Sequence, residues 1–232
     1  MNLTPKQRSV IEQVINVFET GSPQGDYGAI STYADGPHDI RQITYGRSQT
    51  TEYGNLRELV GLYADASGTF SAELGLYADR VGSTPLTDDP DFKRLLRSAG
   101  RDDIVMQRTQ DRFFARRYFD PAMKWCNTEG FTQPLSMLIA YDSFIHSGSV
   151  LWVIRGMFPE VTPAHGGDEK AWILAYVNAR HRWLSNHRRE VVRKSHYRTR
   201  DLSREVRRNN WDLTQLPIRA NGTDVTGVQH VG

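Results

Sequence analysis

The chain opens on a complete helix start, Thr4-Pro5-Lys6-Gln7. Thr4 is a natural N-cap, Pro5 fits the first helical position, and Gln7 closes a capping box. Val10, Ile11, Val14, Ile15 and Phe18 then recur at helical spacing and define one apolar face. The breaker cluster Thr20-Gly21-Ser22-Pro23 predicts the helix end, which leaves Glu19 in the last turn, beside Phe18 and at the edge of a loop. The pattern then changes abruptly. From Tyr27 to Thr51, Gly28, Gly36, Pro37 and Gly46 punctuate short runs such as Ala29–Tyr33 and Arg41–Tyr45, which read as a small antiparallel β region. A capped helix feeding directly into a sheet predicts two lobes with a substrate cleft between them, walled by the first helix and the 27–51 β region. Clefts of that kind bind polymers.

The rest of the chain is mostly helical. Helical periodicity returns over Asn55–Tyr63, and again from about Asp103 to Tyr118, where Phe119-Asp120-Pro121 interrupts it. The stretch between Phe70 and Met106 reads as short segments broken by Gly82, Pro85, Pro90 and Gly100. Pro134 opens a segment through Leu135, Leu138, Ile139, Tyr141, Asp142 and Ile145 that is apolar on most faces, a candidate central helix. Gly166-Gly167-Asp168-Glu169 opens another, carrying Trp172, Ile173, Tyr176, Val177 and Arg180. The tail after Pro217, rich in Gly, Asn and Thr, is expected to pack loosely. The fold class is therefore mainly α with a small antiparallel β-sheet, as one domain over residues 1–232 with no internal repeat.

Composition narrows the function classes. At 232 residues, with 38% hydrophobic and 24% charged residues, the chain can bury a real core. The lone Cys126 excludes an internal disulfide and a cysteine-based zinc site, and it reads as a small packed side chain. No apolar run approaches a membrane span, and the polar start Met1–Lys6 shows no secretory signal. The expectation is an extracellular protein if a signal was removed, otherwise a cytoplasmic one or one released by a non-signal route. No metal or other cofactor is expected, and a monomer is. Net charge is only +2, yet eleven Lys and Arg between Arg180 and Arg208 face only Glu190, Asp201 and Glu205. Such a stretch is either a solvated helix face with internal ion pairs or an attractor of phosphates or an anionic polymer.

The first fifty residues hold groups suited to one chemistry. Splitting a glycosidic bond needs two carboxyl groups, and in an inverting enzyme these stand about 6.5–9.5 Å apart to admit a water. Glu19, beside an apolar ring, suits the general acid, whose pKa desolvation raises. Asp39 suits the base, with Arg41 holding it charged and the Thr44 hydroxyl positioning the water on the same strand. Taken alone, the same residues also read as a solvated helix-end acid and a turn former. Tyr27 and Tyr45 are the expected sugar contacts, while Trp125, Trp152, Trp172, Trp183 and Trp211 are mostly packing residues.

The ordered motifs resemble the chitosanases of glycoside hydrolase family 46. They are Phe18-Glu19-Thr20-Gly21, Tyr27-Gly28, Asp39-Ile40-Arg41-Gln42-Ile43-Thr44, Gly54-Asn55-Leu56-Arg57-Glu58-Leu59-Val60, Tyr118–Met123, Ala140-Tyr141-Asp142 with His146, and Gly166–Trp172 continuing to Arg180. The resemblance implies a two-lobed, lysozyme-like α+β fold and endo-acting, single-displacement hydrolysis of β-1,4 links in chitosan without a cofactor. It implies Glu19 as acid, Asp39 as base and Thr44 as an aid to the water. Arg41 and Asn55 are then substrate contacts, and Asp142, Arg180 and Arg200 form a supporting charge network. Asp35-Gly36 imitates the family's Asp-Gly step, so Asp35 is a rival base. Asn55 stands where the family has an Asp that binds a substrate ammonium, which weakens amine recognition. The competing readings are a peptidoglycan-cleaving lysozyme relative, such as a phage lysin or effector, and, more distantly, a non-catalytic nucleic-acid-binding module.

Overall fold

The structure, a computed structural model, describes residues 1–47 and 49–228. Helix α1 (Pro5–Thr20) starts on the expected capping box, with Thr4 accepting from Gln7 N and Gln7 reaching back to Thr4 N, and it ends on Gly21 at φ 78°. Strands β1 (Ile30–Ala34), β2 (Arg41–Tyr45) and β3 (Thr50–Thr51) follow as one antiparallel sheet in that order. Pairs such as Ile30↔Tyr45 and Ala34↔Arg41 set the β1–β2 register, and Thr44↔Thr51 sets that of β3. Helices α2 (Leu56–Ala64), α3 (Ser71–Gly75), α4 (Pro90–Asp102) and α5 (Ile104–Phe114) come next. The expected break near Phe119 is instead a π-helical segment, Ala115–Phe119, and α6 (Asp120–Thr128) begins immediately after it. Pro121 sits in the first turn of α6, where its missing N–H costs nothing.

Helix α7 (Pro134–Ser147) is followed by α8 (Trp152–Arg155), α9 (Glu169–Ser185), α10 (Glu190–Lys194) and α11 (Tyr197–Arg207). The tail forms a hairpin of β4 (Ile218–Ala220) and β5 (Thr223–Val225) that packs on α1, so it is not loose as far as residue 228. Ile218, Ala220 and Val225 alternate inward, which is why a Gly- and Asn-rich stretch is pinned there.

The chain divides into two compact units. One is continuous, Gly25–Ala115, and the other joins Met1–Gln24 to Arg116–Gly232. In the continuous unit Ile43, Tyr45, Leu59, Val60, Tyr63, Leu96 and Phe114 are fully buried. Glu52, also fully buried, accepts from Ile43 N (3.1 Å) and Leu86 N (2.7 Å), tying the long 65–89 connection to the sheet. In the other unit α7 is the central helix: every residue from Pro134 to Ser143 is buried, against α1, α6, α9 and α11. Trp172 anchors an aromatic cluster there with Trp125, Phe131, Phe158 and Tyr176. The continuous unit carries ten Lys and Arg against fourteen Asp and Glu, and the other nineteen against thirteen. Among the described residues no helix is long and apolar enough to cross a membrane.

Candidate active site

Glu19 lies in the last turn of α1 with its side chain only 12% exposed. Three features surround its carboxyl. The Arg198 guanidinium pairs with it directly. That guanidinium also lies over the Phe18 ring, 5.2 Å from the centroid. Tyr197 packs edge-on against Phe18 and donates its hydroxyl to Phe18 O at 2.8 Å. Burial pushes the Glu19 pKa above the ordinary carboxylate range. Arg198 pulls it back, nearby Asp142 adds to the rise, and the outcome is a raised value.

Behind Arg198 stands a buried charge cluster. Asp142 on α7 is fully buried and pairs with Arg180 of α9 through Nη1, and with Arg198 through Nη1 at 2.7 Å. Burial alone would raise the Asp142 pKa. Arg180 and Arg198 outweigh it and hold the carboxyl below the usual range. The same two carboxylates keep the Arg198 pKa raised despite its burial. His146, one helical turn beyond Asp142, is pushed down to about 3 by burial and by the two guanidinium groups, so it is neutral in ordinary conditions.

Arg200, expected in this network, is not part of it. It pairs with Asp201 at 3.0 Å and its side chain is 57% exposed, while Arg198 takes the place assigned to it. A signal for the right arginine does exist in the sequence. Arg198 shares a stripe with Leu202 and Val206 at +4 and +8, whereas Arg200 shares its own with Arg204 and Arg208. The stripe containing the apolar residues is the one α11 buries. Most of the basic run is spoken for internally, since Arg204 reaches Asp201 and Glu205, Arg208 reaches Glu205, and Lys194 reaches Glu190.

In the continuous unit three expectations need correction. Asp39 is not on the strand with Arg41 and Thr44. It ends a 3-10 turn, Pro37–Asp39, is exposed, and has φ 60° next to His38 at φ 56°. Two successive left-handed residues reverse the chain there, so side-chain alternation along β2 does not extend back to residue 39. Arg41 pairs with Asp88 at 3.6 Å rather than with Asp39. Tyr45 has no exposed surface and donates its hydroxyl to Leu96 O at 2.7 Å, which makes it a core residue and not a sugar contact.

Asp35 occupies a different setting. It follows the last residue of β1, is half-buried, and accepts from Gln42 Nε2 at 2.9 Å. Gln42 and Thr44 are two residues apart on β2 and so share one face of the sheet. Thr44 donates to Gln49 Oε1 at 3.0 Å, and Ser31 donates to the same oxygen at 2.8 Å. Asp35, Gln42, Thr44 and Ser31 thus form a polar hydrogen-bonded patch. The Tyr27 ring is fixed by a bond from its hydroxyl to Asp111 (2.9 Å), which also pairs with Arg47 at 2.9 Å. Asn55 is half-buried at the N-cap position of α2.

Each unit thus carries a carboxyl in a defined setting: Glu19 is buried with a raised pKa, and Asp35 is held by the Gln42 amide. The chitosanase of Bacillus subtilis strain 168 is 27% identical over 236 residues, 94% of this chain and 84% of its own. The crystal structure of native chitosanase from Bacillus subtilis MY002 superposes with a TM-score of 0.79 at 25% identity, covering 95% of this chain and 97% of that one. The Gynuella sunshinyii GH46 chitosanase, solved as a complex with chitotetraose, gives 0.79 at 24% identity over 96% and 98%. The fold is the lysozyme-like α+β fold of these enzymes, mainly α with a small antiparallel sheet. The model of glycosyl hydrolase family 46 matches residues 13–218, and the chain belongs to that family.

Proposed function

We propose that the chain is an endo-acting, inverting hydrolase of the β-1,4 links of chitosan, with Glu19 as general acid and Asp35 as general base. The observation that carries this reading is the Glu19 carboxyl, buried against Phe18 and raised in pKa while Arg198 fixes its position. A carboxylic acid that keeps its proton can deliver it to the departing glycosidic oxygen. Asp35 then takes a proton from the water that attacks the anomeric carbon from the opposite face, and the product is the α-anomer. The Gln42 amide aims the Asp35 carboxylate, and the Thr44 hydroxyl, on the same patch, orients the water. Asp39 sits in an exposed turn without such support, which is why Asp35 is preferred to it.

Asp142, Arg180 and Arg198 are positioning residues, since they act on Glu19 and not on the sugar. Tyr27 and Asn55 contribute sugar contacts. The curated chitosanase relative and the acidic balance of the continuous unit support a polycationic substrate. A polymer of that size stays outside cells, so the enzyme acts there.

The test is reducing-end release from well-deacetylated chitosan, with purified bacterial wall in parallel, for wild type, Glu19→Gln, Asp35→Asn and Asp39→Asn. Glu19→Gln and Asp35→Asn should each lose roughly 100- to 10,000-fold, and Asp39→Asn should stay within a few fold. Loss in Asp39→Asn with an active Asp35→Asn would return the base to Asp39. Early NMR spectra of the product should show the α-anomer, and a β-anomer would contradict inversion. Turnover of wall material alone would keep the mechanism and move the substrate to peptidoglycan.

A further inference from the structure

The basic stretch of α9 and α10 has a part that internal ion pairs do not use. A groove of about 610 Å³ is lined by Met157, Arg182, Trp183, Asn186, His187 and Arg188. Arg182, Arg188 and the adjacent Arg189 are exposed, and among the described residues no carboxylate pairs with their guanidinium groups. The walls are nonetheless fixed. Arg193 Nη1 donates to His187 O (2.8 Å) and Arg188 O (3.0 Å), holding the 186–189 turn. Arg189 N donates to His187 Nδ1 at 3.1 Å, which leaves the His187 proton on Nε2. The His187 ring braces Trp183 edge-on at 4.7 Å. Asn186 Nδ2 is committed to Arg182 O (2.8 Å), so its carbonyl oxygen remains for a ligand hydroxyl.

We propose that this groove is a second, non-catalytic binding site that takes a carboxylate-bearing polysaccharide. The half-buried indole offers a flat apolar face for one sugar ring. The two guanidinium forks match carboxylate oxygens bidentately, and Asn186 and His187 serve hydroxyls. Arg182 and Arg188 stand on the groove's walls and none of its lining residues is an acid, so a polycationic chitosan chain is repelled from it. A single concave aromatic pocket also differs from the row of stacking rings along a basic track that single-stranded nucleic acid uses. The site would hold the enzyme on an anionic matrix while its hydrolytic site works on a cationic polymer.

The experiment is isothermal titration of the full chain with a galacturonic acid hexamer at low salt, using wild type, Trp183→Ala and the double variant Arg182→Gln/Arg188→Gln. Folding is read by circular dichroism and binding by the heat of titration, so failure of binding here is distinguishable from failure of the chitosan reaction assigned above, which turnover reads separately. Saturable binding by wild type, weakened at least roughly tenfold in both variants, with chitosan turnover unchanged, supports the site. Absence of binding, or equal affinity in folded variants, overturns it. Tighter binding of a single-stranded oligonucleotide of equal charge also overturns it, in favour of a nucleic-acid surface. Should Trp183→Ala fail to fold, the surface double variant carries the test alone.

Discussion

Replacing Asp142 by Asn isolates the role of the buried cluster. The Asp142 side chain has no exposed surface, and its two oxygens each meet a different guanidinium, Arg180 at Oδ2 and Arg198 at Oδ1. Asparagine keeps the shape but presents one NH₂ donor to a guanidinium, which is itself only a donor. The buried Arg180 then loses its carboxylate partner outright, and Arg198 keeps only Glu19. Removing one partner of a buried ion pair costs about 3–5 kcal/mol. For a chain of this size each kcal/mol shifts Tm by about 2–4 °C, so a fall of about 10 °C is expected. The assay is urea unfolding followed by circular dichroism, with calorimetry for Tm, from pH 7 down to pH 3. The Asp142 pKa is depressed in the folded state, so its contribution is fully present above the ordinary aspartate value of about 3.9. It is lost as pH falls through the lower folded value. The gap between wild type and variant should therefore hold from pH 7 to pH 4 and narrow only below that. A difference under about 1 kcal/mol at pH 7, or a gap that closes already near pH 6, would refute the cluster as a stabilising unit.

Other perturbations test separate parts of the molecule. Glu19 has a raised pKa, so folded protein holds its proton more tightly than unfolded chain, and stability falls as pH climbs from the ordinary glutamate value to the raised one. Glu19→Gln removes that penalty together with the carboxylate that faces Arg198, so the clean readout in urea unfolding is the slope with pH: the variant should lose this fall in stability while losing turnover, and an unchanged slope would contradict the desolvation argument. Glu52→Ala leaves Ile43 N and Leu86 N without their carboxylate acceptor and should cost about 3 kcal/mol in the same assay. Gly100→Ala would set a methyl 2.1 Å from Tyr27 O, against backbone that cannot yield, and should lower Tm by several degrees, about 2 kcal/mol or more. Cys126 is buried with its thiol pushed up to about 12, so a disulfide reagent should label it only as the chain unfolds.

Where hydrophobic period and capping chemistry agreed, the sequence could be read directly. α1 follows from Thr4, Gln7 and its apolar stripe, and the central place of α7 follows from a segment apolar on nearly every face. The family motifs singled out Asp142 and Arg180, which the structure joins in one buried ion pair. What escaped depended on features without a periodic signature. The 13-residue α4 was hidden because only Phe92, Leu95, Leu96 and Ala99 mark its buried face among six charged residues and a glycine. Asp39 was mistaken for a strand residue because left-handed backbone at His38 and Asp39 leaves no compositional trace when neither residue is glycine. The π-helical turn at Ala115–Phe119 absorbs the proline signal that elsewhere ends helices. Arg198 fills the place expected of Arg200; both are basic, and only the stripe that Arg198 shares with Leu202 and Val206 separates them.

The clamp on Glu19 also sets an order of events during synthesis. Glu19 and Arg198 are 179 residues apart, and the unit containing them is assembled from both ends of the chain, while Gly25–Ala115 is continuous. The continuous unit can collapse as soon as it leaves the ribosome. Glu19 cannot acquire its altered acidity until α11 has emerged, roughly 10–40 s after Glu19 itself at about 5–20 residues per second. Until then it is an ordinary solvated glutamate on an unfinished helix, so the nascent chain carries its proton donor in a latent form. The same dependence makes any truncation before Arg198 chemically silent at Glu19, whatever remains of the sheet.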